Sequence, residues 1–217
     1  MPLSRSYIST RSFRGNSGAL FYPVAIIKQT WTDPSTADTD GFSVSHAGAS
    51  AAGTTQMTLG GALAGKNVHA RNVVITVTHA SSVVAMSGTI TGTGIDGKNL
   101  SKDWSVTTTT TSKTFTGKKA FKTVTSITET IAASAATNTI IAGDGAVLGL
   151  VTMSSTTSAV KEYAAGSLAT TGTFVAASSA AADDPRGTYA PSSAPNGTND
   201  YIVYFLSDTP ENDRALP

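Results

Sequence analysis

The sequence contains no cysteine and little charge. Of its 217 residues only 13% are charged, well below the share in an ordinary globular protein, and the formal net charge is +1. Without cysteine, disulfides, thiolate metal sites and cysteine nucleophiles are excluded, while the redox compartment stays open. A net charge this close to zero gives no electrostatic reason to expect a nucleic-acid partner.

Long hydrophobic runs are also absent. No apolar run approaches the roughly 20 residues of a membrane-spanning helix, so we expect no membrane partner. The first 18 residues contain three arginines and no acid, and they lack the apolar stretch of a secretory signal. An organelle transit peptide has a similar composition. We favour a basic arm over residues 1–18 that docks on a partner.

Threonine, serine, alanine and glycine take the place of the missing charge. Soluble monomers normally carry more charge on their surface, so this composition suits a protein whose exterior is covered by neighbouring molecules. Disorder is the competing interpretation. Disordered chains usually combine low hydrophobicity with high net charge, whereas this chain is 40% hydrophobic and nearly neutral.

Short runs of β-branched and aromatic residues predict strands along most of the chain. The clearest are 72–79, where apolar residues alternate with threonine, and 201–206, which follows an Asn196–Gly197 turn. Residues 83–94 follow the first run so closely that we expect a hairpin. About eight to ten strands and no helical pattern predict an all-β jelly roll or β-sandwich. We place this single domain at 19–206, before a polar tail.

The N-terminal part of this domain carries two further expectations. Residues 19–28 are dense in aromatic and β-branched side chains and predict a strand or an extended clamp, with Pro23 marking an edge or a break. Residues 31–55 are rich in Asp, Thr, Ala and Gly and predict a long loop.

Two later segments are less clear. Residues 120–131 fit one face of a helix, but their threonines favour a strand with a bulge near Lys122 or Thr123. Gly143–Gly145 stands between two apolar runs and predicts a turn.

No motif for catalysis or metal binding is convincing. Gly92–Gly97 matches the letters of the dinucleotide fingerprint GxGxxG, but no helical pattern follows it, so we interpret it as a hairpin turn. His46, His69 and His79 lack the spacing of a metal site, and no GxSxG elbow is present. We therefore predict no enzyme, no cofactor and no metal.

Several segments follow one another in a distinctive order. A Gly/Thr strand and turn at 87–97 precedes a Lys- and Phe-containing strand at 117–127 and a glycine-rich ending at 138–150. Residues 186–197, followed by the run from Tyr201, form a closing segment. In this order the chain resembles the head and virion proteins of tailed bacteriophages. The resemblance covers about half of the sequence.

This resemblance implies a non-enzymatic capsid cement or decoration protein on the outer capsid surface of a virion. Such a protein would bind the major capsid protein and itself, as a dimer or trimer. A tail, collar or baseplate protein is the alternative within the particle. A carbohydrate-binding, adhesin-like module is the alternative outside it, and it would need exposed aromatic side chains on one face.

The contacts to the capsid would come from the N-terminal part of the chain. A basic arm followed by an apolar segment could clamp an acidic, grooved surface, and many weak contacts would be multiplied by the number of copies. The predicted contact residues are Arg5, Arg11, Arg14, Phe21, Tyr22 and Trp31.

Overall fold

The computed structural model describes residues 7–8, 25–49, 51–79, 84–108, 112–131, 138–154 and 159–207. These residues form strands and turns and contain no helix, so the all-β prediction is confirmed. The strands are β1 (Tyr7–Ile8), β2 (Ala25–Trp31), β3 (Ser43–Ala47), β4 (Gly53–Gln56), β5 (Lys66–His79), β6 (Val84–Thr93), β7 (Asn99–Thr108), β8 (Lys113–Ile131), β9 (Asn138–Gly149), β10 (Ala159–Ala164), β11 (Ser167–Ala169), β12 (Thr173–Ala176), β13 (Gly187–Ala190) and β14 (Tyr201–Ser207).

The chain divides into two compact units. The central unit comprises Thr36–Gly149, and the terminal unit comprises Met1–Ser35 together with Leu150–Pro217. The predicted domain at 19–206 therefore includes the whole central unit and most of the terminal unit.

The central unit is one curled antiparallel sheet. Its strands run in the order β9-β5-β8-β6-β7, with β3 paired to β9 and β4 paired to β8. The sheet curls because the long strand β8 pairs with β5 over its first half and with β6 and β4 over its second half. Curling brings the apolar faces of the strands together, as in a sandwich or jelly roll. The core contains Phe42, Met57, Val73, Ile75, Val77, Met86, Ile90, Leu100, Trp104, Phe121, Val124, Ile127, Ile131, Ile140 and Ala142.

Strand β5 follows the alternation read from its sequence. Val73, Ile75 and Val77 are fully buried. On the opposite face the Thr76 hydroxyl bonds to that of Thr114 on β8, and the Thr78 hydroxyl bonds to that of Ser112, just before β8. The predicted hairpin between β5 and β6 is wrong, because β8 lies between them in the sheet. A short link permits a hairpin but does not select the partner strand; pairing depends on which faces must be buried.

Strand β8 resolves the ambiguous segment at 120–131 in favour of a strand. Phe121 and Val124 are both buried although three positions separate them. The register with β5 is irregular here, but the extra residues lie on β5, where five positions separate the partners of Phe121 and Thr123. The extra residue of β8 opposite β6 lies between Val124 and Ser126, two to three positions after the predicted bulge. The GxGxxG segment is a turn between β6 and β7, with Gly97 at φ 77°.

The turn predicted at Gly143–Gly145 is wrong, because β9 runs through it as one strand. Here glycine serves close packing. A Cβ on Gly143 would lie 1.9 Å from the backbone oxygen of Asp38, and one on Gly145 would lie 2.4 Å from Oδ1 of Asn72. Glycine inside a strand often marks such an approach of another chain segment.

The long loop predicted at 31–55 is also wrong in part. Strands β3 and β4 lie within this range or end just beyond it, paired to β9 and β8. Both strands are short and mostly exposed, so the alternation that identifies a half-buried strand is missing from their sequence.

The terminal unit contains a five-stranded antiparallel sheet in the order β1-β2-β14-β10-β11. The predicted strand at 201–206 is confirmed as β14, which lies between β2 and β10. A hairpin of β12 and β13 belongs to the same unit, and its Phe174 and Tyr189 pack against Phe205 and Trp31 from the sheet.

Candidate functional site

Strand β14 is apolar on both faces. Tyr201, Val203 and Phe205 are fully buried on the inner face of the sheet, where the hairpin packs. The alternate side chains, Ile202 and Tyr204, point to the outer face and are only partly buried. An antiparallel sheet that packs on one side only normally carries polar side chains on its other face. An apolar outer face on β14 is therefore unusual.

The strand register extends this face across the sheet. Directly opposed residues of antiparallel strands share a face. Tyr204 lies opposite Lys28 of β2 and Lys161 of β10, and Ile202 lies opposite Thr30 and Tyr163. We call the resulting surface the tyrosine face; it consists of Ile26, Lys28, Thr30, Lys161, Tyr163, Leu168, Ile202, Tyr204 and Leu206.

Two tyrosines occupy the middle of the tyrosine face. The rings of Tyr163 and Tyr204 meet edge to face, with centroids 6.1 Å apart and planes at 73°. At the margins Ile26 is 38% exposed and Leu168 is 64% exposed. Exposed aliphatic residues beside an aromatic pair form the kind of contiguous apolar patch that marks a binding surface.

The charge on the tyrosine face is of one sign. Lys28 and Lys161 are exposed on either side of Tyr204, and the face includes no acid. The neighbouring acid on β10, Glu162, points to the inner side and is fully buried. The face therefore combines an apolar surface with two ammonium groups.

The inner side of β10 is held by a polar network around Glu162. Its carboxylate accepts hydrogen bonds from the Tyr189 hydroxyl at 2.5 Å, the Ser192 hydroxyl at 2.9 Å and the Gly172 amide at 2.9 Å. Burial and the bond to Glu162 raise the pKa of Tyr189. The Tyr189 ring in turn stacks on Trp31, with centroids 6.1 Å apart. These contacts tie β10, β2 and the hairpin together behind the tyrosine face.

Of the contact residues predicted from the sequence, only Trp31 lies within the described residues. Arg5, Arg11, Arg14, Phe21 and Tyr22 lie outside the described residues. The prediction for Trp31 is wrong, because its side chain is 2% exposed and belongs to the core of the terminal unit.

Sequence reasoning missed the tyrosine face. The available signal was the unbroken apolar run of β14, because a strand buried on one side only alternates apolar and polar residues. The lysines Lys28 and Lys161 had no signal of their own, since only the register places them beside Tyr204.

Two buried charged side chains of the central unit, Arg71 and Asp144, form an ion pair. Arg71 Nη1 lies 2.9 Å from Asp144 Oδ2, and Asp144 Oδ1 accepts the Asp38 amide at 2.6 Å. The pKa of Asp38 is raised, chiefly by a hydrogen bond with the Asp40 side chain and by burial. These contacts keep residue 38 packed against β9.

The second buried acid of the central unit contacts a histidine. The Glu129 side chain is fully buried, and its Oε2 lies 2.9 Å from His46 Nε2. Its other oxygen, Oε1, accepts a hydrogen bond from the Ala49 amide. His69 and His79 lie on β5. Within the part of the chain that the structure describes, no three His, Cys, Asp or Glu residues are grouped as metal ligands.

In the described ranges, no helix is long and apolar enough to cross a membrane. Comparisons with known protein families, with curated proteins and with solved structures found no match to this chain.

Proposed function

We propose that this chain is a non-enzymatic structural component of a tailed-phage particle, a cement or decoration protein on the outer capsid surface. In this proposal it binds the major capsid protein through the tyrosine face and stabilises the head. The observation that carries the proposal is the apolar outer face of β14, with the Tyr163–Tyr204 pair at its centre.

Two features of the whole chain support this function. Its charged share of 13% suits a surface covered by neighbouring molecules. Its segments between residues 87 and 150 resemble phage head proteins.

Self-association as a dimer or trimer belongs to the same proposal, because repeated copies on a lattice multiply modest contacts. The basic arm would supply a second contact.

Reconstitution on capsids tests the proposal. Purified chain is added to phage heads that lack it, and the bound copies are counted by cryo-electron microscopy. We expect the wild-type chain to decorate the outer surface at regular lattice positions. The double variant Y163S/Y204S should fold and bind at least tenfold more weakly, because it removes the aromatic centre of the docking face.

The matched control is V44S. Val44 is a 56% exposed apolar residue of the central unit, so this variant also replaces an exposed apolar side chain by serine. It should decorate heads as the wild type does. Regular density for the chain only in the tail would contradict the cement function and favour a tail, collar or baseplate protein.

A carbohydrate-binding module is the second candidate, and the same tyrosine pair favours it. Partly exposed aromatic rings on one face of a sheet can stack on sugars. A glycan array with the purified chain separates the two candidates. Glycan binding that is lost in Y163S/Y204S, without head binding, would replace the capsid proposal.

A further inference from the structure

Three residues of the tyrosine face form a row that crosses three strands. Lys28 on β2, Tyr204 on β14 and Lys161 on β10 are directly opposed in the register. Neighbouring strands are about 4.8 Å apart, so the two lysine Cα atoms are about 10 Å apart with the tyrosine between them. Their ammonium groups lie on flexible stems on either side of the Tyr204 ring.

The rows next to this one are mainly apolar. On one side Ile26 lies opposite Leu206, and on the other Ile202 lies beside Tyr163 and Thr30. The tyrosine face is thus an apolar patch crossed by one cationic row. A partner must bury aliphatic surface and neutralise two positive charges at the same time.

A second copy of the tyrosine face does not meet this requirement. Two such faces packed together would bring four ammonium groups, from Lys28 and Lys161 of each copy, into one apolar interface without an acid. Like charges in an interface are repulsive, and burying unpaired charges is costly. Self-association of this chain therefore uses other surfaces.

A sugar chain is also a poor fit to the whole face. Stacking on a tyrosine ring suits a sugar, but the exposed side chains of Ile26 and Leu168 offer it no hydrogen bonds. Aliphatic margins are matched by the apolar side chains of a protein.

We infer that the occupant of the tyrosine face is another protein whose surface presents two carboxylates, one on either side of an apolar centre. The two carboxylates pair with Lys28 and Lys161, and the apolar centre packs on Tyr204 and its aliphatic neighbours. This inference rests on the proposed function for the location of the partner, and it adds the chemistry of the partner surface.

Carbodiimide cross-linking of intact particles tests the inference, because this reagent joins a lysine amine to a carboxylate in direct contact. Peptide mass spectrometry then identifies the joined residues. We expect Lys28 and Lys161 each to be linked to an aspartate or glutamate of one different particle protein. Lys113, an exposed lysine of the central unit, is the internal reference against which the yield of cross-links from Lys28 and Lys161 is compared.

Charge reversal gives an independent measurement. The variant K28E/K161E should bind heads more than tenfold more weakly than the wild type, because it places carboxylates against carboxylates. K28R/K161R keeps the charge and should bind within a few-fold of the wild type. K113E alters an exposed lysine outside the face and should bind normally. Wild-type affinity should fall as salt is raised, because salt screens the attraction between opposite charges. The affinity of K28E/K161E should instead rise, because salt screens the repulsion between like charges.

The outcomes separate this inference from the proposed function. If the chain is present on the heads but Lys28 and Lys161 link to another copy of the chain, or K28E/K161E binds normally, the inference fails and the structural function stands. If the chain is absent from the particle, the proposed function fails and the inference fails with it.

Discussion

Glu162 and Tyr189 form a buried hydrogen bond of 2.5 Å in the terminal unit, with the hydroxyl donating to a carboxylate that has backbone amides and a serine as its other partners. The ring of the same tyrosine stacks on Trp31. This bond therefore links β10, which carries half of the tyrosine pair, to the core of its unit.

Tyr189→Phe is expected to change how stability depends on alkaline pH. Burial and the bond to Glu162 raise the pKa of Tyr189 above its ordinary value near 10. The contribution of Tyr189 is present below about pH 10 and is lost as pH rises, because the unfolded phenol ionises first. The wild type should lose up to about 1.4 kcal/mol per pH unit from this group.

Urea unfolding from pH 8 to pH 11 measures the effect. At pH 8, Y189F should be about 1–2 kcal/mol less stable than the wild type, because Glu162 loses one donor. The difference in the free energy of unfolding between the wild type and Y189F should narrow at higher pH. Y204F retains Tyr189 and serves as the control. A gap that stays constant to pH 11 would argue against the raised pKa.

Arg71→Met is expected to destabilise the central unit strongly. It leaves the buried Asp144 carboxylate without its cation, and breaking a buried ion pair costs about 3–5 kcal/mol. The double variant R71M/D144L removes both charges and should recover a large part of the loss. Urea midpoints measure both, with K113Q as the exposed-lysine control, expected within about 0.5 kcal/mol. A double variant as unstable as R71M would show that lost packing, not unpaired charge, dominates.

Gly143→Ala tests the close approach inside β9. The added Cβ would lie 1.9 Å from the Asp38 oxygen, so backbone must move, and we expect a loss of about 1–3 kcal/mol or more. Gly60→Ala is the matched control, because the nearest atom to its Cβ is 4.0 Å away. It should be neutral or slightly stabilising. Equal thermal midpoints for the two variants would contradict this packing.

Adjacent residues of β14 should separate binding from stability. Phe205→Ala removes a fully buried ring and should cost about 3–5 kcal/mol in the free energy of unfolding. Tyr204→Ala acts on the outer face, so it should cost far less stability while weakening attachment to heads. Chemical unfolding and head binding are measured on both variants. Loss of stability in Y204A comparable to that in F205A would mean that the outer face is part of the core.

Most strands could be predicted from local pattern because side-chain alternation and β-branched composition are properties of neighbouring residues. Val73, Ile75 and Val77 show this, and so does the threonine-rich strand β8. The short strands β3 and β4 escaped prediction because they are mostly exposed and apolar alternation is absent from them.

Strand pairing could not be predicted in the same way. The glycines at 143 and 145 have the composition of a turn, yet they lie in a strand because Asp38 and Asn72 pack where side chains would be. Likewise β5 and β6 are separated by β8 despite their short link. Both outcomes depend on contacts between residues far apart in the chain.

The sequence by itself determined the all-β class, the low charge and the doubly apolar strand β14, since each is a matter of composition or of period two along one strand. The tertiary structure alone decided that Trp31 is buried and that Lys28, Tyr204 and Lys161 form one row. The physical reason is that register and burial come from packing distant strands together, which no local pattern specifies.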